Sequence, residues 1–147
     1  FRIYLPASRQ LVGKTEKAPL PIGNESVLVV DDDPLQRQVI SELLGSLGYQ
    51  VESADSGAAA LEKLRASPVD LLILDMVMPG EMDGAETYRQ ALKIRRNQRA
   101  IIVSGFAKSD QIRDAQALGA GAFLRKPIKL EGLALAVREE LDRYKGS

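Results

Sequence analysis

Four acidic residues hold the chemical interest of this chain. Asp31, Asp32 and Asp33 follow one short apolar run, Val27-Leu28-Val29-Val30, and Asp75 ends another, Leu71-Leu72-Ile73-Leu74. Ser104 ends a third run after Ala100-Ile101-Ile102-Val103, and Lys126 lies just beyond a fourth, Ala122-Phe123-Leu124. The sequence contains no cysteine and no histidine. Thiolate nucleophiles, imidazole bases, Ser-His-Asp triads and cysteine or histidine zinc sites are therefore excluded. Carboxylates gathered within a few Å repel one another, and a hard divalent ion held by oxygen relieves that repulsion. Magnesium suits such a site because it takes one or two carboxylates and leaves positions for water and phosphate oxygens; manganese is the alternative. A carboxylate nucleophile, a metal, a hydroxyl and an ammonium around one crevice describe a phosphoryl-transfer centre. Each residue also has a plainer reading. Asp33 before Pro34 fits a helix cap, Ser104 before Gly105 fits a turn, and Lys126 before Pro127 fits a surface lysine.

The elements that must position these groups follow from periodicity. Uniformly apolar runs of four residues predict strands buried on both faces, at Val27–Val30, Leu71–Leu74 and Ala100–Val103, and the shorter run Ala122–Leu124 predicts the last strand. Gln50–Ala54 alternates and predicts an edge strand with one wetter face. Between the strands, helical spacing recurs in Leu35, Val39, Leu43 and Leu47 with Ile40 and Leu44, then in Leu61 and Leu64 after Ser56, and then from Ala85 to Ile94 with Tyr88, Ala91 and Leu92 inward. A thin apolar stripe (Ile112, Ala115, Leu118) predicts a helix over Lys108–Leu118, and Leu130, Leu133, Val137, Leu141 and Tyr144 mark the last one. Five alternations of strand and helix predict an α/β fold, a doubly wound five-stranded parallel sheet of flavodoxin-like order 2-1-3-4-5 with helices on both faces. Its switch point lies between strands one and three, the two that end in aspartates, so Asp31, Asp32 and Asp75 are expected to converge.

The chain has 147 residues, with 20 basic and 20 acidic side chains, enough for one domain. Zero net charge gives no electrostatic reason to expect nucleic acid or membrane contact, and no apolar stretch approaches a membrane span. Residues 1–24 read as a tail or linker and 25–147 as the folded domain. Pro19, Pro21 and Gly23 give the linker composition, and Arg2–Pro6 predicts at most a short strand. Gly13-Lys14-Thr15 is rejected as a phosphate loop because Ser8 stands where the motif needs glycine and the following prolines would break the required helix. A start at Phe1 predicts a piece of a longer protein.

Taken together, Val29-Val30-Asp31-Asp32-Asp33, Leu74-Asp75-Met76-Val77-Met78-Pro79 with Asp83-Gly84, Val103-Ser104-Gly105 and Phe123-Leu124-Arg125-Lys126-Pro127 resemble the CheY-like receiver domain of two-component response regulators, over about residues 26–143. The resemblance implies that Asp75 accepts a phosphoryl group from a phosphohistidine. It implies that Asp31, Asp32 and Asp75 hold Mg2+ with the backbone carbonyl of Val77, and that Lys126 pairs with the phosphoryl group. Ser104 would be the switch hydroxyl and Phe123 the switch aromatic. It further implies a partner histidine kinase or histidine phosphotransfer domain, in cis or in trans, and a cytoplasmic setting, including the cytoplasmic part of a membrane-bound sensor kinase. Phe1-Arg2-Ile3-Tyr4-Leu5-Pro6 resembles the last strand of a histidine kinase ATP-binding domain, so a hybrid kinase is the expected parent chain. Two departures stand out: the loop Gly80-Glu81-Met82 is one residue longer than usual, and phenylalanine replaces the commoner tyrosine at position 123.

Two other readings remain at this stage. A phosphatase of the haloacid-dehalogenase type would use Asp31 and Asp33, but Leu35 stands where such enzymes carry threonine or valine, and Glu131, Glu139 and Glu140 fall on the last helix. A receiver that binds partners without being phosphorylated is the other.

Overall fold

The computed structural model describes residues 20–78, 82–105, 113, 114 and 116–143. Its elements are β1 (Ser26–Val30), α1 (Pro34–Ser46), β2 (Gln50–Ala54), α2 (Gly57–Ala66), β3 (Leu71–Asp75), α3 (Gly84–Ile94), β4 (Arg99–Ser104), β5 (Phe123–Arg125) and α4 (Leu130–Asp142). The strands form one sheet in the order β2-β1-β3-β4-β5, and every pairing is parallel. This is the expected 2-1-3-4-5 arrangement, with the alternating strand β2 at an edge.

The apolar runs are continuous because both faces of the sheet are covered. Leu28, Val30, Leu72, Leu74 and Ile102 point into one buried cluster with Leu61 and Leu64 of α2 and Tyr88 and Ala91 of α3. Their sequence neighbours Val27, Val29, Leu71, Ile73, Ile101 and Val103 point into the other, with Ile40 and Leu44 of α1 and Leu133, Val137 and Leu141 of α4. Successive side chains on a strand alternate faces, so a strand between two helical layers has no position for a polar residue.

Two details differ from the sequence reading. The apolar residues of α1 cover more than one face. Ile40, Leu44 and Leu47 are buried, whereas Leu35 and Val39 are 63% and 37% exposed. A 3.6-residue period can bring only one stripe onto the sheet, and the stripe three and four residues apart at 40, 44 and 47 is the one that lands there. The last strand covers Phe123–Arg125 rather than Ala122–Leu124 and is half-buried, as befits an edge.

Several helix starts are capped as their sequences require. Asp33 Oδ1 accepts from Leu35 N at 2.9 Å ahead of Pro34, and Ser56 Oγ accepts from Ala59 N at 3.1 Å. Asp83 Oδ1 accepts from Glu86 N at 2.9 Å at the start of α3. No helix among the described residues is long and apolar enough to cross a membrane. The short strand and phosphate-loop motif considered before residue 20, residues Pro79, Gly80 and Glu81, much of the helix expected over Lys108–Leu118, and Tyr144 lie outside the described residues.

Candidate functional site

Sheet register sets the height of each acidic group. Val30 pairs with Leu74, so the next residues, Asp31 and Asp75, leave adjacent strands at the same level. Neighbouring strands lie about 4.8 Å apart, which places the two carboxylates side by side at the carboxyl edge of the sheet. Carboxylate oxygens of Asp31, Asp32 and Asp75 lie within 4.8 Å of one another. Asp31 and Asp75 are only 1% and 6% exposed, while Asp32 faces solvent. Three oxygen donors at this spacing, two of them buried and one open to water, fit a hard divalent cation that keeps part of its hydration shell.

Lys126 reaches the cluster from the end of β5. Its Nζ lies 3.0 Å from Asp31 Oδ2 and 3.6 Å from Asp75 Oδ2. The Lys126–Pro127 peptide bond is cis. Lys126 N donates to Ser104 O at 3.1 Å, tying the lysine to the end of β4. Ser104 itself is buried at that end, one residue past Val103, which pairs with Asp75. Phe123 starts β5 opposite Ile102, packs partly against the α2–α3 side of the core, and carries the Arg125 guanidinium 5.7 Å above its ring.

The electrostatics follow from this crowding. Burial, and then the Asp31 charge, push the Asp75 carboxyl up from its ordinary 3.8 to about 6, although Lys126 pulls the other way. Burial alone would lower the Lys126 pKa, but its hydrogen bond to Asp31 and the charge of Asp75 hold it above the usual lysine value. One ammonium therefore does not fully offset two buried carboxylates. A cation beside Asp75 would favour its charged form.

Local backbone bonds aim these groups. Asp31 Oδ1 accepts from Asp33 N at 2.9 Å, and Asp75 Oδ1 accepts from Val77 N at 3.3 Å. Asp33 is a helix cap, as its plainer reading held. Two contributors have roles that the sequence did not disclose. Arg37 Nη1 donates to Asp31 O at 2.8 Å and braces the β1–α1 turn from one helical turn away. Its signal is only a basic residue on the first turn facing back toward the strand end. Gly84 is the other. Its N–H donates to Met76 O at 3.1 Å, and a Cβ built there would collide with Asp75 O and lie 2.8 Å from Met76 Cα. Those are backbone atoms that have no room to yield. Gly84→Ala is expected to cost about 1–3 kcal/mol through overpacking, and to weaken divalent-ion binding by shifting the backbone of Asp75. Thermal unfolding and a Mg2+ titration of the folded variant would measure both effects.

Comparison with known proteins agrees with this geometry. Residues 27–138 match the family described as response regulator receiver domain. The chain is 38% identical over 132 residues to sensor kinase CckA of Brucella abortus, covering 88% of this chain and 14% of that kinase. It is 35% identical over 118 residues to sporulation initiation phosphotransferase F of Bacillus subtilis, covering 80% of this chain and 94% of that protein. In structure it is similar to a chain of the CheX–CheY–BeF3–Mg2+ complex from Borrelia burgdorferi, with a TM-score of 0.73 and 26% identity, covering 80% of this chain and 89% of that one. The chain thus spans a small part of one relative and nearly all of another. The haloacid-dehalogenase reading falls, since the family match covers most of the chain, with its acidic cluster Asp31, Asp32 and Asp75. The chain belongs to the response regulator receiver domains, the phosphoacceptor modules of two-component signalling.

Proposed function

We propose that Asp75 is the phosphoacceptor and that it takes its phosphoryl group from a phosphohistidine of a histidine kinase or histidine phosphotransfer domain. The observation that carries this reading is the buried Asp75 carboxylate, set within 4.8 Å of Asp31 and Asp32 and 3.6 Å from the Lys126 ammonium. One oxygen of Asp75 forms a bond to phosphorus as the bond from phosphorus to the donor imidazole nitrogen breaks, and the imidazole keeps the electron pair. The lack of histidine in this sequence fits a donor on another domain or protein.

Asp31, Asp32, Asp75 and the backbone carbonyl of Val77 would hold Mg2+. When bound, the ion neutralises phosphate oxygens and anchors the transferring group. Lys126 supplies a second positive charge on the same group. Ser104 and Phe123 are the residues that respond: an acyl phosphate adds about −1.5 to −2 charges beside them, which favours a hydroxyl and an ammonium turned toward Asp75. The CheY–BeF3–Mg2+ composition of the similar structure supports the metal assignment. The sensor-kinase and phosphotransferase relatives support a donor either in the same polypeptide or in a separate one.

Intact-protein mass after incubation with acetyl phosphate tests the reading. One phosphoryl adduct is expected with Mg2+ and none after chelation. If no adduct forms and beryllofluoride with Mg2+ also fails to bind, the domain is a partner-binding receiver that is not phosphorylated.

A further inference from the structure

Residues 20–25 precede the stretch that matches the family and carry the proline and glycine of a linker. They are nonetheless held. Leu20 packs against the buried cluster beneath α1 and α4. Gly23 N donates to Leu47 O at 3.1 Å, just past the end of α1, and Gln50 N donates to Glu25 O at 3.0 Å, extending the β1–β2 edge backward. The principal attachment is Arg138 of α4. Its Nη2 donates to Glu25 Oε2 at 2.6 Å, and its Nη1 reaches Glu25 Oε1 and Ile22 O, each at 3.2 Å. Nε and Nη2 also donate to Asp142 Oδ2 and Oδ1 at 3.1 and 3.0 Å, one helical turn along α4.

This guanidinium is forked onto two carboxylates and capped by a backbone carbonyl, and it is only 19% exposed. Bidentate geometry of that kind is specific to arginine and is stronger than an ordinary surface pair. The Glu25 carboxyl is held below the usual range chiefly by its hydrogen bond from Arg138. A Cβ at Gly23 would lie 2.5 Å from Arg138 Nη1, Glu25 Oε1 and Tyr49 Cε1, so the Arg138–Glu25 pair would have to shift to admit it. Ser26 begins β1, so this attachment sits at the end of the sheet opposite the acidic cluster.

We propose that residues 20–25 form a strap that the domain binds through Arg138. The folded unit then begins at Leu20 rather than at residue 25, and the chain arriving from the N-terminal side is fixed to α1 and α4 instead of being loosely tethered. The chain thus enters the folded unit through a held segment at the end of the sheet opposite the acidic cluster. A flexible linker would instead sample many orientations.

Amide exchange of the whole chain tests this, with Gly23 as the reporter and the β3 amides of Ile73 and Leu74 as the internal reference. Arg138→Gln is expected to speed exchange at Gly23 by about tenfold or more while leaving the β3 amides within about twofold. Gly23→Ala acts from the strap side without removing the guanidinium. It is expected to speed exchange at Asn24 and Glu25 in the same way. Limited proteolysis before Ser26 should become faster in both variants. Unchanged exchange in both would overturn the strap. So would an equal rise at every amide, which would make Arg138 a general stabiliser.

Discussion

Asp75→Asn is expected to abolish the phosphoryl adduct and, at neutral pH without divalent ions, to make the protein more stable. The first effect is the loss of the proposed nucleophile, since an amide cannot form the acyl phosphate. The second follows from the site's unbalanced charge. Burial and the neighbouring Asp31 raise the Asp75 pKa from 3.8 to about 6. Between about pH 4 and pH 6 the folded state binds more protons than the unfolded state, so stability declines as pH rises through that window and stays lost above it. At roughly 1.4 kcal/mol per pH unit, that loss is on the order of 2–3 kcal/mol. Asparagine keeps the size of the side chain and removes the charge. The melting temperatures of wild type and Asp75→Asn should therefore lie close together near pH 4 and separate by several degrees near pH 7.5, the variant being higher. Saturating Mg2+ should narrow the gap by stabilising the wild type, because a ligand bound only by the folded state adds stability. A gap that is the same at both pH values would mean that Asp75 is not held in its charged form against a cost.

The chemistry of the site was more legible in the sequence than its mechanics. Asp31, Asp32, Asp75, Ser104 and Lys126 follow four apolar runs, and parallel topology alone places strand ends together. What the sequence did not disclose depends on distances between backbones. Gly84 stood out in the Asp83-Gly84 pair of the resemblance, but the collision a side chain would make there with the Asp75 carbonyl is visible only once the start of α3 lies against the end of β3. Arg37 is one of 20 basic residues, and its bond to the Asp31 carbonyl depends on the direction in which α1 leaves the strand. The apolar residues of α1 recur at helical spacing from Leu35 to Leu47, and the pattern does not say that Leu35 and Val39 will be left off the sheet. In residues 20–25 composition pointed to a linker because proline and glycine report local backbone freedom. They carry no information about an arginine more than a hundred residues later.

Lys126→Met is expected to damage the fold and the chemistry together, and the two losses separate by a double-mutant cycle. Methionine keeps most of the aliphatic stem and removes the ammonium that lies 3.0 Å from Asp31 and 3.6 Å from Asp75. Two buried carboxylates then lack a protein cation. Removing one partner of a buried pair costs about 3–5 kcal/mol, and because Lys126 is partly open to water the expected loss at pH 7.5 is nearer 2–3 kcal/mol. The pH dependence has a definite sign. The Lys126 pKa lies above the usual lysine value, so its stabilisation is fully present below the ordinary lysine pKa and fades only as pH rises through alkaline values. Loss of its charge also removes the influence that lowers the Asp75 pKa. The acid-side window in which stability declines should therefore extend above pH 6 in the variant. Phosphoryl uptake from acetyl phosphate at saturating Mg2+ should fall by about 10²-fold or more, the usual effect of deleting a charged group placed on a developing anion. In an Asp75→Asn background the stability cost of Lys126→Met should shrink by on the order of 1 kcal/mol, because the Asp75 half of the attraction is already gone and the hydrogen bond to Asp31 remains. Equal costs in the two backgrounds would mean that Lys126 does not feel Asp75, and its assignment to the transferring phosphoryl group would lose its basis.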